Sequence, residues 1–209
     1  MPRKVQFTRE MIIEAAIQMV REKGPECINA RDLGDYMGCS SRPLFTAFRN
    51  MEELTDAVRE EVSRRFAERV RIARDTHSPE PAAKRMGMCI VGFAQDEPNL
   101  YKFIHWRGSK LVPFNDLSKI MIQQYQTDYH LSDEDAVAFF DHMMIFNMGL
   151  CSLITNGVRH FAQGEVERIL LEQFTATLAY YKSGKHNIEE KIQTPPSPLR
   201  EGEEEQQYP

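Results

Sequence analysis

Apolar residues recur at helical spacing along most of the chain. The first stripe consists of Ile12, Ala15, Ala16, Met19 and Val20, spaced i, i+3, i+4, i+7 and i+8. This spacing places them on one face of a helix. Thr8 can cap the start of that helix, and Gly24 followed by Pro25 can end it. No segment is convincingly a strand, so the pattern predicts an all-α protein.

Two short helices follow, over residues 30–37 and 41–48. Asn29 can cap the first of them, and its inner face consists of Leu33, Tyr36 and Met37. Ser40 or Ser41 can cap the second, and capping is favoured over contact with a DNA base as the role of Ser40. A tight turn at Gly38 and Cys39 joins the two, which is the helix-turn-helix arrangement. In the second helix, Leu44 and Phe48 form the predicted inner stripe.

Longer helical patterns cover residues 50–73, 83–94, 98–108, 115–129, 133–155 and 166–182. Two prolines, Pro79 and Pro81, interrupt them. We therefore predict a helix-turn-helix domain over residues 1–50, a connecting helix over 51–74 and a second domain over 79–183. The segment 133–155 is apolar almost all round, so several of its sides must be covered. Residues 184–209 are rich in Pro and Glu, which predicts a disordered tail, with a recruitment peptide as the alternative.

Composition and charge restrict the class of protein. The 209 residues are 42% hydrophobic and 27% charged, as in ordinary soluble globular proteins. No uninterrupted apolar run is long enough to span a bilayer and no signal region is evident, so we expect a cytoplasmic protein without a membrane partner. Net charge is −5 overall, but +2 over residues 1–50 and −7 over the remainder. The basic surplus lies where a nucleic-acid surface would lie.

A contiguous run of about 50 residues carries a specific motif set. Its positions are Ala15-Ala16, Gly24, Asn29, Gly38-Cys39-Ser40, Phe45, Phe48 and Leu54. In this order and spacing they resemble the N-terminal domain of the tetracycline-repressor (TetR) family of bacterial regulators. The resemblance implies a homodimer that binds a palindromic operator in double-stranded DNA. It also implies a C-terminal domain with a cavity for a small inducer. Repression is the commoner outcome in such families, and activation is the alternative.

The chain departs from the family pattern at several positions. Arg42-Pro43 stands where Gly-Thr is usual, Phe45 where tyrosine is usual, Met51 where lysine is usual and Gly34 where alanine is usual. The changes at Phe45 and Met51 remove two groups that typically contact phosphates. Arg31, Arg42 and Arg49, with Arg3 and Lys4 on an N-terminal arm, can offset that loss.

The predicted DNA-binding residues lie in and around the second short helix. They are Arg31, Ser40, Ser41, Arg42, Pro43, Phe45, Thr46 and Arg49. Arg42 is the most individual candidate, because it replaces a glycine and can contact a base or a phosphate. A solvated surface arginine is the simpler interpretation. Phe45 faces DNA in the favoured interpretation, whereas as a core residue it would compete with Phe48.

Methionines and aromatic residues are concentrated in the second domain. The predicted pocket comprises Met86, Phe93, Phe103, Trp106, Met121, Tyr125, Phe140, Met144 and Asn147. Flexible, polarisable side chains such as methionine suit an adaptable apolar site, although ordinary core packing explains the presence of any single one of these residues. His105, Arg107 and Asn147 are candidates to orient a polar group of a largely apolar ligand. A second possibility is a protein-interaction module that binds no small molecule.

Other chemistry has little support in the sequence. GxSxG, P-loop, GxGxxG and HExxH motifs are absent, so an enzyme is disfavoured and no cofactor is predicted. The histidines lack metal-ligand spacing, so no metal site is predicted. Four widely separated cysteines are expected to be free thiols. The helices near 133–155 and 166–182 are predicted to form a homodimer with their copies, with a monomer as the alternative.

Overall fold

The computed structural model describes residues 7–105 and 114–184, and within them every regular element is a helix. The helices are α1 (Arg9–Lys23), α2 (Ala30–Tyr36), α3 (Arg42–Ala47), α4 (Met51–Asp75), α5 (Ala82–Asp96), α6 (Pro98–Ile104), α7 (Phe114–Tyr129), α8 (Asp133–Thr155) and α9 (Glu165–Lys182). The predicted all-α class is confirmed. Trp106, Arg107, Arg3, Lys4 and all of the predicted tail except Gly184 lie outside the described residues.

Polar caps determine where several helices begin. The side chains of Thr8, Asn29, Asn50 and Ser132 each accept a hydrogen bond from a backbone N–H in the first turn of the helix that follows. Each bond satisfies a donor that has no partner within the helix. At the start of α2 the arrangement is reciprocal, since the Asn29 side chain also donates to Asp32 Oδ2 at 2.8 Å.

The first three helices form the helix-turn-helix unit. Gly34 makes its tight turn possible, because a Cβ at this position would lie 2.9 Å from the carbonyl oxygen of Cys39. Cys39 N also donates to Gly34 O at 2.9 Å. Gly38, with φ +67°, supplies the left-handed backbone of the turn. The turn from α2 into α3 therefore depends on two glycines.

Two local predictions about this unit are wrong. Tyr36 is not part of the inner face: it is exposed, and its hydroxyl donates to Glu22 Oε1. Leu33 is fully buried, and Met37, directly after α2, is half-buried and packs against the core. Ser40 is not the cap of α3, since Ser41 occupies that position and makes no side-chain capping bond.

The remaining helices form a bundle connected to this unit by α4. Helix α4 packs on α1 at one end and on α5 along the bundle. Helix α8 packs against α5, α7 and α9, and α6 packs against α1. The hydrophobic core runs without a break from Ile12 in α1 to Tyr181 in α9. The cavities described below lie where α4 to α9 meet.

Helix α8 is the one element in residues 7–105 and 114–184 that is long and apolar enough to cross a membrane. By itself this is weak evidence, because the core helix of a globular protein has the same properties. The helix buries Phe139, Phe140, Met143 and Leu150 against its neighbours. This packing explains part of its apolar composition, because 33% of its most apolar window is buried within the chain and residues such as Ile145 and Met148 are exposed.

Candidate DNA-binding surface and ligand cavity

Helix α3 separates an anchored face from an outward face. Leu44 is fully buried and Phe48 is 3% exposed, as the spacing predicts. On the opposite side Arg42 and Thr46 are exposed, and half of the Phe45 surface is accessible. A half-exposed phenylalanine beside an arginine is unusual for a surface that meets only water. The geometry favours the outward interpretation of Phe45 over the core one.

The arginines near α3 differ in whether a carboxylate already forms an ion pair with them. Arg31 and Arg42 are exposed, and neither has an ion-pair partner among the residues that the structure describes. Arg49 is also exposed, but its Nε donates to Glu53 Oε2 at 3.0 Å. Arg31 and Arg42 are therefore the predicted contacts whose charge is not already balanced by a carboxylate.

A pair that spacing does not suggest fastens α3 to the rest of the unit. Arg9 Nη1 donates to the carbonyl oxygen of Ala47 at 3.0 Å and to Glu53 Oε1 at 3.1 Å. Its guanidinium lies over the Phe48 ring, 4.1 Å from the centroid. Bonds from the Arg49 backbone N–H, the Arg49 side chain and Arg9 lower the pKa of Glu53 to about 2. Glu53 is thus ionised at neutral pH and holds the C-terminal end of α3.

The other predicted DNA contacts lie in the turn before α3 and along α3 itself. Ser40 is exposed, and Ser41 and Pro43 are partly buried at the start of α3. The Thr46 hydroxyl donates to the carbonyl oxygen of Arg42 at 3.0 Å, so its remaining capacity is as an acceptor. All eight predicted residues lie in or beside the helix-turn-helix. Their contact with DNA stays a prediction.

Two adjoining cavities lie between the helices of the bundle, and each is partly open to solvent. One, of about 30 Å³, is bounded by α4, α5, α6, α7 and α8. The other, of about 260 Å³, lies between α5, α7, α8 and α9. Tyr125, Met143 and Asn147 line both. These three side chains therefore form the boundary between the two spaces.

The structure brings together part of the predicted pocket. Met121, Tyr125, Phe140, Met144 and Asn147 line the cavities. Three others, Met86, Phe93 and Phe103, are buried in the core and do not line them. Residues that the sequence did not single out, chiefly on α9, complete the larger cavity: Leu170, Leu171, Phe174, Thr175 and Leu178. Leu170, Phe174 and Leu178 are spaced i, i+4 and i+8 along α9, and this apolar stripe is the signal that could have found the face.

Asn147 contributes to this interior a buried polar atom that has no partner among the described residues. The residue is 6% exposed, and its Oδ1 is buried without a hydrogen-bond partner among the described residues. His105 differs, because its Nδ1 lies 2.8 Å from the carbonyl oxygen of Tyr101 and its ring stacks on the Tyr101 ring. An unpaired amide oxygen in an apolar interior is costly.

The cavity interior favours neutral groups. Burial lowers the pKa of His105, so the imidazole is held in its uncharged form. Burial also raises the pKa of Tyr125, and it raises that of Tyr129 to about 12. The charged side chains of the larger cavity, Lys84 and Glu167, lie 3.6 Å apart as an ion pair.

Helix α6 touches both the cavity and the helix-turn-helix unit. Tyr101 of α6 and His105, directly after it, line the smaller cavity. At the other end of α6, Asn99 Nδ2 donates to the carbonyl oxygen of Arg21 at 2.9 Å. Glu97, which precedes α6, accepts two bonds from Arg21 Nε. A displacement of α6 would therefore also displace the C-terminal end of α1.

These features define an all-α architecture with an N-terminal helix-turn-helix and a C-terminal helical domain that contains a partly open cavity. This is the fold of TetR-family transcriptional regulators. The chain is similar to a TetR-family regulator from Vibrio parahaemolyticus, with 16% identity, a TM-score of 0.56 and coverage of 82% of this chain and 96% of that one. No protein-family model and no curated protein matches the sequence.

Two further solved structures share the fold. One is a TetR variant from Acinetobacter baumannii in complex with minocycline, with 14% identity, a TM-score of 0.59 and coverage of 83% of this chain and 96% of that one. The other is a TetR-family regulator from Mesorhizobium loti, with 16% identity, a TM-score of 0.50 and the same coverage values. At this identity the likeness establishes the fold.

Proposed function

We propose that the protein is a DNA-binding transcriptional regulator, acting as a repressor. The observation that carries this proposal is the outward face of α3. A helix anchored by Leu44 and Phe48 presents Arg42 and Phe45 to solvent, on a helix-turn-helix unit whose sequence carries a net positive charge. An arginine at the start of a recognition helix is suited to a base edge or a phosphate in the major groove.

A homodimer is part of the same proposal. Helix α8 exposes Ile145 and Met148, with Gly149 directly after Met148 and Ser152 nearly one turn further on. A Cβ on Gly149 would meet nothing within 4 Å in the chain, so a neighbouring backbone has room to approach. Helix α9 exposes Leu171. A second copy would cover these faces and pair two recognition helices with the two halves of a palindromic operator.

The cavity supports a response to a small, largely apolar ligand. Apolar lining with a few polar groups is typical of ligand sites. The minocycline complex of the Acinetobacter baumannii protein shows that a related fold accommodates a small molecule. A protein-interaction module without a ligand has less support, since its interior would be filled. We further infer that the chain is a cytoplasmic protein without catalytic activity.

Ligand control would operate as a population shift. A ligand that favours one position of α6 would move the Arg21–Glu97 contact and thereby α1. It would then favour a dimer whose recognition helices are wrongly spaced for successive major grooves, and DNA affinity would fall. The required difference in affinity between the two conformers is on the order of 1–3 kcal/mol.

Selection of bound DNA from a random pool tests the proposal directly. The full chain is incubated with the pool at low salt, because phosphate contacts dominate affinity and weaken steeply as salt rises. We expect enrichment of a palindrome whose half-sites are separated by about one helical turn. Failure to enrich any sequence at low salt would overturn the DNA-binding function.

A further inference from the structure

The amide of Asn147 lies at the one place where both cavities meet within the described residues. It is 6% exposed, and Oδ1 has no hydrogen-bond partner there. Burying such a group without a partner destabilises the fold, and an apolar side chain at this position would avoid that cost. An unpaired polar atom beside a cavity therefore points to a partner that the cavity contents supply.

The chemistry of the amide limits that partner. Oδ1 is an acceptor, so the missing group is a donor, and the NH₂ of the same amide can in turn donate to an oxygen. A hydroxyl group can do both at once, because it has one O–H donor and two lone pairs. Asn147 is thus matched by a hydroxyl better than by an ether or a carbonyl.

The surroundings limit the rest of the molecule. The larger cavity is lined mainly by apolar side chains, with Met143 on one side of Asn147 and Phe174 on the opposite helix. Its charged residues, Lys84 and Glu167, already form an ion pair, and Lys84 pairs with Glu80 as well. A charged ligand would lose its hydration without gaining a free counter-ion. The body of the ligand must therefore be apolar and neutral.

The volume indicates the size of the part of the ligand that can be buried. An apolar cavity of roughly 150 Å³ binds benzene, and the larger cavity here has about 260 Å³. That is roughly 1.7 times the volume that accepts one six-membered ring. Two fused rings fit this ratio. The aromatic side chains Tyr125, Tyr129 and Phe174 offer edges and faces for such rings.

We propose that this cavity binds a neutral bicyclic aromatic molecule with one hydroxyl group, which donates its hydrogen bond to Asn147 Oδ1. The inference rests on the proposed function, because it identifies the chemical class of the ligand for that cavity. The partner is defined by three properties: two fused rings, no charge and one hydroxyl donor.

Calorimetric titration of the full chain with four matched probes tests the hydroxyl donor and the absence of charge on a common bicyclic frame. The probes are 2-naphthol, naphthalene, 2-methoxynaphthalene and 2-naphthoate. We expect 2-naphthol to bind tightest, with about tenfold weaker binding of naphthalene and 2-methoxynaphthalene, since one hydrogen bond to a buried acceptor is lost. We expect 2-naphthoate to show no binding at this site. Equal affinities of 2-naphthol and 2-methoxynaphthalene, preferential binding of 2-naphthoate, or absence of binding by all four would overturn the inference.

A variant tests whether Asn147 is the acceptor of this hydrogen bond. In Asn147→Leu the order of affinities should reverse, with naphthalene binding at least as tightly as 2-naphthol. The matched control is Gln123→Leu, the same amide-to-apolar change on the exposed face of α7 and outside both cavities. The control should retain the wild-type order. A roughly tenfold preference for 2-naphthol that survives in Asn147→Leu would overturn the assignment.

Binding and regulation are measured separately. Titration with ligand alone tests the ligand class, and operator affinity with and without 2-naphthol tests the regulatory response. If 2-naphthol binds through Asn147 and leaves operator affinity unchanged, the ligand class stands and the regulatory part of the proposed function fails. If operator DNA binds and none of the probes does, the DNA-binding function stands and the ligand class fails.

Discussion

Arg21 Nε donates to both carboxylate oxygens of Glu97, at distances of 3.0 and 2.8 Å. Arg21 lies in the last turn of α1, and Glu97 immediately precedes α6. The two residues are 76 positions apart in the chain and join the helix-turn-helix unit to the bundle. Both side chains are partly exposed, so the pair contributes little to stability, about 0–1 kcal/mol. Its position suits a role in coupling ligand binding in the cavity to DNA binding by the helix-turn-helix unit.

Glu97→Gln should weaken that coupling without unfolding the protein. We expect the melting temperature to change only slightly, because the pair is partly exposed. The factor by which 2-naphthol changes operator affinity should fall about threefold, which corresponds to less than 1 kcal/mol of coupling free energy. Fluorescence anisotropy with labelled operator measures it. Asp75→Asn, which removes a pair within α4 alone, is the control and should leave the factor unchanged.

Arg42→Ala tests how the recognition helix contacts DNA. If Arg42 contacts a base, preference should relax at one operator position by about 1–3 kcal/mol. If it contacts a phosphate, binding should weaken uniformly across sequences and the salt slope should fall by about one. Selection repeated with the variant distinguishes the two. Arg168→Ala, on the far helix α9, is the control, and loss of specificity in that variant would contradict the assignment.

The sequence predicts helix positions well because their signals are local. A cap and an apolar stripe lie within a few residues of each other, so Thr8 and Asn50 mark the starts of α1 and α4. The orientation of Phe45 and Phe48 also follows from helical spacing, with one exposed and the other buried. The Tyr36 prediction was wrong because spacing alone does not show that a seven-residue helix ends there.

Contacts between distant residues account for what spacing does not predict. The Arg9–Glu53 ion pair joins positions 44 apart, and nothing in either local sequence indicates it. Met86 and Met121 are both buried methionines, yet only Met121 borders a cavity. Which residue of a given type lines an empty space depends on how whole helices pack, and one sequence carries little information about that.

Gly34→Ala should destabilise the protein although alanine favours helices. Alanine in a helix interior stabilises the helix by about 1 kcal/mol relative to glycine. Its Cβ would lie 2.9 Å from the Cys39 carbonyl oxygen, a backbone atom that can move only if the turn moves. Overpacking of this kind costs typically 1–3 kcal/mol. Urea unfolding should therefore show a net loss of about 1 kcal/mol.

The matched change is Gly92→Ala, in the interior of α5. The nearest atom to a Cβ there is Arg69 Nη2 at 3.9 Å, so only the gain in helix propensity remains. This variant should be stabilised by about 1 kcal/mol. If Gly34→Ala is stabilised to the same extent, contact with the Cys39 carbonyl oxygen does not limit the side chain at position 34.

Glu53 should make stability depend on acid pH. Its pKa is lowered to about 2, so the folded state binds a proton less readily than the unfolded state does. The contribution is fully present above 4.5, the ordinary pKa of a glutamate carboxyl, and is lost as pH falls toward 2. The free energy of unfolding, measured between pH 5 and pH 2, should therefore fall less steeply in Glu53→Gln than in the wild type. Identical slopes in the two proteins would contradict the Arg9–Glu53–Arg49 arrangement.

Ile145→Glu should convert a dimer into a monomer. Ile145 is 66% exposed at the centre of the apolar face of α8, where a buried carboxylate in a dimer would have no partner. Light scattering coupled to size-exclusion chromatography measures the mass, which should fall from about 49 kDa to the 24.3 kDa of a single chain. Operator binding should weaken strongly, because a monomer contacts one half-site. Ile72→Glu is the control, since Ile72 is 60% exposed on α4, away from the proposed interface. A wild-type protein that elutes at 24.3 kDa, or an Ile145→Glu variant that stays dimeric, would show that α8 is not the interface.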